Sequence, residues 1–200
     1  MKLYFKYGAM NSGKTMEILR TAHNYEENGY KVLIVKPFCD TKGNDFIVSR
    51  VGVSRHVDYL LKQDELLSDV IKQDYPTVIL VDEAQFLSKE QIDDLWLITK
   101  NLDIDVFCYG LRTDFRLEGF PGAIRLFELA DKIEEITTLC RCGNKANANL
   151  RLVDGVPTFD GDEVAIDGFL NVTYIPVCSN CYIDYYNKAK EQKMVRKKIF

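Results

Sequence analysis

An α/β fold with a mainly parallel sheet, followed by a smaller region bracketed by cysteines, is the architecture that this sequence predicts. From Lys2 to about Ile136, apolar runs of β type alternate with helical stretches. Strands separated by helices of ten or more residues imply βαβ crossovers and therefore parallel pairing. From Cys140 onward, turn signals and short strands replace this alternation. We therefore expect a core domain over residues 1–136, a small second domain over residues 137–187 and a flexible basic tail over residues 188–200.

The elements of the core follow from hydrophobic patterning. The run Val78–Val81 is continuously apolar, as expected for a parallel strand buried on both faces. The predicted strands are Leu3–Tyr7, Lys31–Val35, Thr77–Val81 and Asp105–Gly110. The predicted helices are Met16–Asn28, Asp64–Lys72, Lys89–Asn101 and Ala123–Leu129.

Composition excludes some partners and locations. The 200 residues include 26 basic and 30 acidic side chains, and the net charge of −4 gives no overall basic field for nucleic acid. The basic residues near the end of the chain suit a solvated tail better than a binding patch. Since no apolar run approaches 18 residues and no signal peptide is evident, we expect a cytoplasmic protein without membrane contact. In that compartment, six cysteines favour metal binding or free thiols over disulfides.

The first motif is Gly8–Thr15, which matches the phosphate-binding pattern G-x-x-x-x-G-K-[ST]. It lies between a predicted strand and a predicted helix, where backbone N–H groups converge on a phosphate. Lys14 would contact the β- and γ-phosphates, and the Thr15 hydroxyl would contact Mg²⁺. The alternative is an ordinary glycine-containing turn before a helix. The motif predicts a bound nucleoside triphosphate.

Two carboxylates, Asp82 and Glu83, directly follow the buried run Val78–Val81. They are therefore expected at the carboxyl edge of the sheet, beside the phosphate loop. Asp82 is a candidate Mg²⁺ partner and Glu83 a candidate base, because phosphoryl transfer requires charge neutralisation and removal of one proton from the attacking hydroxyl. The alternative is that the pair ends a strand and caps the next helix.

Four late cysteines form two close pairs, Cys140 with Cys142 and Cys178 with Cys181. Such pairs can hold a tetrahedral Zn²⁺, and four thiolates would leave no open position for catalysis. The alternative is free thiols. Of the other two cysteines, Cys108 lies in a predicted buried strand, where it would act as a small hydrophobe.

An aromatic stretch, Tyr109–Gly122, leaves the same predicted edge of the sheet as the two carboxylates. Its aromatic rings suit stacking on a planar base. Ordinary packing of a loop is the alternative for this stretch taken alone.

Together these motifs closely resemble the type II thymidine kinases, from Leu3 to about Tyr185, and Cys140–Gly143 resembles the Cys-x-Cys-Gly variant of a bacterial branch. The resemblance implies transfer of the γ-phosphoryl group of ATP to the 5′-hydroxyl of thymidine or deoxyuridine. It also implies a RecA-like P-loop core, a zinc-binding lasso domain and Mg²⁺ dependence. A homotetramer and feedback inhibition by dTTP are further implications.

The resemblance also assigns roles to individual residues. Glu83 matches the catalytic base, and Thr15 and Asp82 match the Mg²⁺ partners. The predicted ATP-binding residues are Gly8, Ala9, Met10, Asn11, Ser12, Gly13, Lys14, Thr15, Asp82 and Gln85. The predicted nucleoside-binding residues are Met10, Arg50, Phe86, Leu111, Phe115, Phe120 and Tyr174.

One segment departs from the family pattern. Residues Ala165–Val172 lack the usual double glycine of the lasso, and Asp167 stands where glycine would permit a closer approach. Because the family grips the base largely through backbone groups, we expect nucleoside binding to survive this change, with altered contacts.

Two other functions share some of these motifs. A P-loop ATPase that moves on nucleic acid would use the loop and the two carboxylates. It would also need a stripe of basic and aromatic surface residues, and neither such a stripe nor a basic net charge is evident in this sequence. A nucleotide-sensing switch would bind ATP or dTTP and would need no base at Glu83.

Overall fold

The computed structural model describes residues 1–39, 45–50, 52–72, 75–161 and 171–199, with side chains to residue 191. Contacts divide the chain into two compact units. The first unit comprises Met1–Gly8, Gly13–Arg112 and Gly119–Ile136. The second comprises Ala9–Ser12, Thr113–Glu118 and Thr137–Phe200, so that two short insertions of the core sequence join the C-terminal part.

A parallel sheet organises the first unit. In the described residues it has six strands in the order β5-β2-β6-β7-β1-β8, and every neighbouring pair is parallel. A short antiparallel pair, β3 with β4, lies apart from this sheet. The strands are β1 (Leu3–Tyr7), β2 (Val32–Pro37), β3 (Phe46–Val48), β4 (Ser54–His56), β5 (Tyr59–Leu61), β6 (Val78–Val81), β7 (Asp105–Gly110) and β8 (Lys132–Glu135).

The helices of this unit begin where the sequence provides suitable residues. Ser88 and Gln91 form a reciprocal capping box at the start of α3, and Pro121 occupies the first turn of α4. On α1, the buried face carries Ile18 and Ala22, four residues apart, which pack into a core with Ile34, Leu80 and Tyr109. The helices are α1 (Lys14–Glu27), α2 (Leu67–Val70), α3 (Lys89–Asn101) and α4 (Pro121–Leu129).

The mainly parallel α/β architecture predicted from the sequence is confirmed. Strand β1, strand β7 and helix α3 have the predicted bounds, whereas the helix expected over Asp64–Lys72 is only the single turn α2. The two edge strands β5 and β8 were not predicted. Strand β8 has the sequence Lys-Ile-Glu-Glu and is largely exposed. It therefore lacks the apolar run from which a strand is predicted.

The second unit is built on antiparallel strands and one long helix. Strand β11 (Ala148–Val153) lies between β12 (Val156–Thr158) and β13 (Val172–Val177). A small ladder joins β9 (Thr138–Leu139) to β10 (Lys145–Ala146). Helix α5 (Ser179–Ile199) continues through most of the segment predicted as a flexible tail.

The core of this unit surrounds the cysteines. Its buried members are Cys140, Ala146, Ala148, Leu150, Val177, Cys178 and Tyr182. In the described part of the chain, no helix has both the length and the apolar character needed to cross a membrane.

Candidate functional site

The ends of the phosphate loop belong to the first unit, where the strand before the loop and the helix after it are fixed. The Gly8 N–H donates to the Gly110 carbonyl on the neighbouring strand β7 at 3.2 Å. Gly13 has a φ of +89°, a conformation that favours glycine, and it is the residue from which α1 begins. Among the described residues no side chain caps this helix, so its first N–H groups are suitably placed for an anion.

Lys14 lies in the first turn of α1 and is 8% exposed. Its Nζ donates to the Gly8 carbonyl at 3.0 Å, so the cation is folded back over the loop. Thr15, the predicted Mg²⁺ ligand, follows it in the same helical turn and is half-buried.

The middle of the loop, Ala9–Ser12, belongs to the second unit. The Met10 N–H donates to Oδ1 of Asn149, on β11, at 2.8 Å. Asn11 has a φ of +66°, and the Ser12 N–H closes a turn onto the Ala9 carbonyl at 3.3 Å. A side chain far away in sequence therefore holds the loop at Met10.

Asp82 and Glu83 follow β6, at the carboxyl edge of the sheet. Val81 pairs with Cys108 of β7, which in turn pairs with Phe5 of β1. Because adjacent strands lie about 4.8 Å apart, Val81 at the end of β6 is about 10 Å from Phe5, two residues before the end of β1, where the phosphate loop begins. The predicted juxtaposition of loop and carboxylates within one sheet edge is therefore present.

Backbone geometry distinguishes the two carboxylates. Asp82 is 5% exposed, and its Oδ1 accepts the Glu83 N–H at 3.0 Å. Glu83 is half-buried and has a φ of +48°, which is uncommon for a residue other than glycine. Such conformations persist where the surroundings enforce them, and they concentrate at functional sites.

Gln85 was predicted to bind ATP, but its side chain contacts the protein itself. Its Nε2 donates to Oε2 of Glu83 at 2.7 Å, and its Oε1 accepts the Leu111 N–H at 3.0 Å. At 1% exposure, Gln85 is among the most buried polar residues of the described chain. Its amide therefore joins the end of β6 to the segment that follows β7.

Two predicted nucleoside-binding aromatics of the first unit contact each other. The rings of Phe86 and Phe120 meet edge to face, with centroids 5.6 Å apart. Phe120 and Leu111 are nearly fully buried, and Phe86 is half-buried. Arg50, in contrast, is an exposed residue beyond β3.

In the second unit, one face of the β11–β13 sheet collects the other predicted nucleoside-binding residues. The Arg151 guanidinium lies 4.8 Å from the Phe115 ring centroid, while Asn149 on the same face holds Met10. Tyr174 pairs directly opposite Arg151, and directly opposed residues share a face.

Sequence reasoning missed Asn149 and Arg151. The signal available was the alternation in Asn149-Leu150-Arg151-Leu152, which is typical of a strand with two different faces. That pattern predicts a strand but not which loops cover its polar face. The altered lasso residues before Asn171, including Asp167, lie outside the described residues.

The loop that carries Phe115 is held at both ends. Asp114 is 3% exposed and accepts N–H groups from Arg116 at 2.8 Å and Glu118 at 2.9 Å. From α5, the Tyr182 hydroxyl donates to the Phe115 carbonyl at 2.7 Å. The position of Phe115 therefore depends on the helix that begins beside Cys178.

The four predicted zinc ligands come together. The sulfur atoms of Cys140, Cys142, Cys178 and Cys181 all lie within 4.8 Å of one another. The Sγ atoms of Cys142 and Cys178 are 3.6 Å apart, too far for a disulfide but close to the edge of about 3.8 Å of a tetrahedron with Zn–S bonds of about 2.3 Å.

The thiols of this cluster differ: a hydrogen bond from the backbone at Cys181 lowers the pKa of Cys178, whereas hydrogen bonds to the neighbouring cysteines raise the pKa of Cys181 to about 12. Burial disfavours a charged Cys140, but hydrogen bonds from the backbone at Cys142 and Cys178 outweigh it and lower the Cys140 pKa to about 6. Cys108, by comparison, is buried alone in β7, where desolvation raises the pKa of its thiol. The four-cysteine cluster can therefore hold a metal ion, whereas Cys108 packs as a small hydrophobe.

The strand–loop–helix with its phosphate-loop sequence, on a parallel sheet, defines a P-loop nucleotide-binding protein of the α/β class. A family model described as "Thymidine kinase" matches residues 1–182. The chain therefore belongs to the thymidine kinase family.

Individual relatives agree with the family model. A thymidine kinase of Streptococcus gordonii is 46% identical over 90% of this chain and 95% of its own length. Thymidine kinases of Streptococcus pyogenes serotype M3 and Streptococcus agalactiae serotype Ia are 42% and 43% identical, each over 92% of this chain and 97% of their own. Among solved structures, one described as an ATPase domain is similar with a TM-score of 0.48 and 12% identity, over 88% of this chain and 81% of that one.

Proposed function

We propose that this protein transfers the γ-phosphoryl group of ATP to the 5′-hydroxyl of thymidine, releasing ADP and thymidine monophosphate for nucleotide salvage. One observation carries the proposal. A phosphate loop after β1 and a carboxylate pair after β6 begin at the same edge of one parallel sheet, in a chain that matches the thymidine kinase family over residues 1–182.

The phosphate loop would bind the triphosphate of ATP. We assign the backbone from Gly8 to Thr15 to the triphosphate, with donors and a positive dipole end from the start of α1, because the N–H groups of Gly8, Met10 and Ser12 donate within the protein. Lys14, which donates to the Gly8 carbonyl in this structure, would exchange that contact for the β- and γ-phosphate oxygens.

Thr15 and Asp82 would hold Mg²⁺, since hydroxyl and carboxylate oxygens are the hard ligands that this cation prefers. The ion, when bound, neutralises negative charge on the β- and γ-phosphates. Asp82 suits this role because it is buried at the edge of the sheet and its Oδ1 is fixed by the Glu83 N–H.

Glu83 would take the proton from the attacking 5′-hydroxyl. Gln85 occupies Oε2 of its carboxylate, and Oε1 is the atom that we assign to the substrate. In the first unit, Phe86, Leu111 and Phe120 would contact the nucleoside. In the second, the assigned residues are Met10, Phe115 and Tyr174. Arg50, in the first unit, is assigned to the substrate near the phosphates, because it resembles a family arginine there.

A structural Zn²⁺ would occupy the cysteine cluster. Four sulfur atoms within 4.8 Å of one another match the donor set of such sites. The metal would complete the core of the second unit and take no part in the phosphoryl transfer.

Three further properties rest on the family resemblance. We propose that deoxyuridine is an alternative acceptor, that dTTP inhibits the enzyme and that four chains of 23.0 kDa assemble into a homotetramer. We also propose a cytoplasmic location, where ATP is available and thiols stay reduced. Sedimentation equilibrium tests the assembly, and inhibition of initial rates by dTTP tests the feedback.

An assay of ADP release separates the proposed kinase from its two rivals. We expect turnover to depend on thymidine and to be unaffected by single-stranded DNA. Stimulation by DNA instead would indicate an ATPase that moves on nucleic acid, and nucleotide binding without turnover would indicate a sensor.

A further inference from the structure

We propose that Gln85 is a positioning residue that orients the Glu83 carboxylate toward the substrate and fixes it to the end of β7. The proposal rests on the proposed function, since it requires Glu83 to act as the base. It assigns to Gln85 a role through Glu83 and not a contact with ATP.

The hydrogen bonds define the orientation of the Gln85 amide. The Leu111 N–H can only donate and therefore must meet Oε1, while the Glu83 carboxylate can only accept and therefore must meet Nε2. Only one orientation of the amide makes both bonds, at 3.0 Å and 2.7 Å. Exchanging the amide oxygen and nitrogen would break them. Glu83 is thus tied through one rigid group to the backbone after β7.

Close packing against glycine keeps the amide in place. A Cβ atom at Gly110 would lie only 2.6 Å from Oε1 of Gln85 and 3.2 Å from its backbone nitrogen. On the other side, a Cβ at Gly122 would lie 2.6–2.9 Å from the carbonyl oxygens of Leu87, Ala84 and Gln85. The short turn Ala84–Phe86 is therefore in close contact with the backbone at Gly110 and at Gly122. A residue with a Cβ atom at either position would clash with it.

This arrangement explains how the Glu83 side chain keeps one direction on an uncommon backbone conformation. The residue has a φ of +48° and is followed at once by the buried turn that carries Gln85. A carboxylate on such a backbone would point in one direction only if a neighbour held it, and Gln85 is the neighbour that contacts its Oε2. Its other oxygen is then directed for proton transfer.

The consequence for catalysis follows from geometry. A shift of about 1 Å in a reacting group can lower the rate about a hundredfold. Loss of the Gln85 donor should therefore lower kcat and leave the affinity for ATP nearly unchanged, because the phosphate loop is not involved.

The experiment compares variants of Gln85 with a matched variant of Gln91. Gln91 is also a buried glutamine, 4% exposed, whose amide accepts from the Ser88 N–H and donates to the Lys62 and Glu65 carbonyls. Gln85→Met removes both amide bonds, whereas Gln85→Glu keeps an oxygen for the Leu111 N–H and places a second carboxyl group against Glu83, so that the two acids share one proton. Gln91→Met removes a comparable set of bonds away from Glu83.

We expect both Gln85 variants to lose about 10- to 100-fold in kcat, with KM for ATP changed less than about threefold. Gln91→Met should lower the melting temperature and leave kcat near the wild-type value at temperatures where it is folded. If Gln85→Met does not fold, the isosteric Gln85→Glu decides the question through its pH profile: contact with Glu83 shifts the rise of kcat to higher pH, and an unshifted profile would overturn the proposal. Equal kcat losses in the Gln85 and Gln91 variants, or a loss confined to KM, would overturn the proposal.

A double variant separates this proposal from the proposed function. If Gln85 acts through Glu83, adding Gln85→Met to Glu83→Gln should lower kcat no further than Glu83→Gln alone. Additive losses would overturn the positioning role while the kinase activity of the wild type stands. A wild type without thymidine-dependent turnover would instead overturn the proposed function, and the role of Gln85 with it.

Discussion

At the scale of single residues, the site depends on how buried groups fix exposed ones. Glu83 lies at the edge of the sheet on a strained backbone, where Asp82 accepts its N–H and Gln85 donates to its carboxylate, each at most 5% exposed. Lys14 is similarly held, through the Gly8 carbonyl. The Glu83 carboxylate is therefore oriented before any substrate is present, whereas Lys14 would exchange its contact with Gly8 when phosphate binds.

The Glu83→Gln variant tests the role of the base. An amide cannot accept the proton of the 5′-hydroxyl, so kcat should fall about 10²- to 10⁴-fold, the usual contribution of general base catalysis. Binding of ATP, measured by calorimetry, should be nearly unchanged, because the phosphate loop remains intact. Glu90→Gln, on the exposed first turn of α3, serves as the control. Near-normal turnover in Glu83→Gln would exclude Glu83 as the base.

At the scale of elements, strand β11 and helix α5 support the loops of the second unit. The polar face of β11 holds Met10 and Phe115, and Tyr182 of α5 holds the Phe115 carbonyl. The Tyr182 N–H in turn donates to the Cys178 carbonyl at 2.9 Å. The cysteine cluster is thus connected to Phe115 by one turn of helix.

Removal of the Tyr182 hydroxyl tests this connection. Tyr182→Phe loses a hydrogen bond worth about 0.5–1.5 kcal/mol, so KM for thymidine should rise about two- to tenfold while KM for ATP stays constant. Tyr186→Phe is the matched control, because both rings meet Phe159 edge to face and only the Tyr182 hydroxyl contacts the Phe115 carbonyl. A rise in KM that is equal in the two variants would contradict the connection.

How far the elements were predictable depends on where their stability arises. The run Val78–Val81 and the capping box of α3 carry local signals, so both elements were expected from the sequence. Strands β5 and β8 are edge strands of three and four residues that form by pairing with β2 and β1, and no local pattern marks them.

The same distinction holds within the site. Lys14 and Glu83 lie in compact motifs whose spacing indicates their chemistry. Asn149 contacts Met10 across 139 positions of sequence, so its role depends on the fold and could not be inferred from its neighbours.

At the scale of the whole molecule, the second unit differs from the first in having a cysteine cluster in its core. Cys140 and Cys178 are among the buried residues of that core. This unit has few buried residues, and small domains of this kind commonly need a metal to complete their cores. The four sulfur atoms lie within 4.8 Å of one another, close enough to share one metal ion.

Elemental analysis tests the metal. We expect one Zn²⁺ per chain, retained in Cys39→Ser, whose residue lies outside the cluster, and lost in Cys142→Ser. Stripping the metal with a chelator should raise KM for thymidine, because Tyr182 and Phe115 lose their anchor, before ATP binding is affected. A fully active chain without zinc would contradict this role.

The most direct test of the proposed activity follows the phosphorus atom. With ATP labelled at the γ-phosphate and thymidine present, the label should appear in thymidine 5′-monophosphate, one molecule for each ADP released. The Glu83→Gln variant should give almost none. Label released as inorganic phosphate, with thymidine unchanged, would contradict the assignment of this chain as a kinase that phosphorylates thymidine.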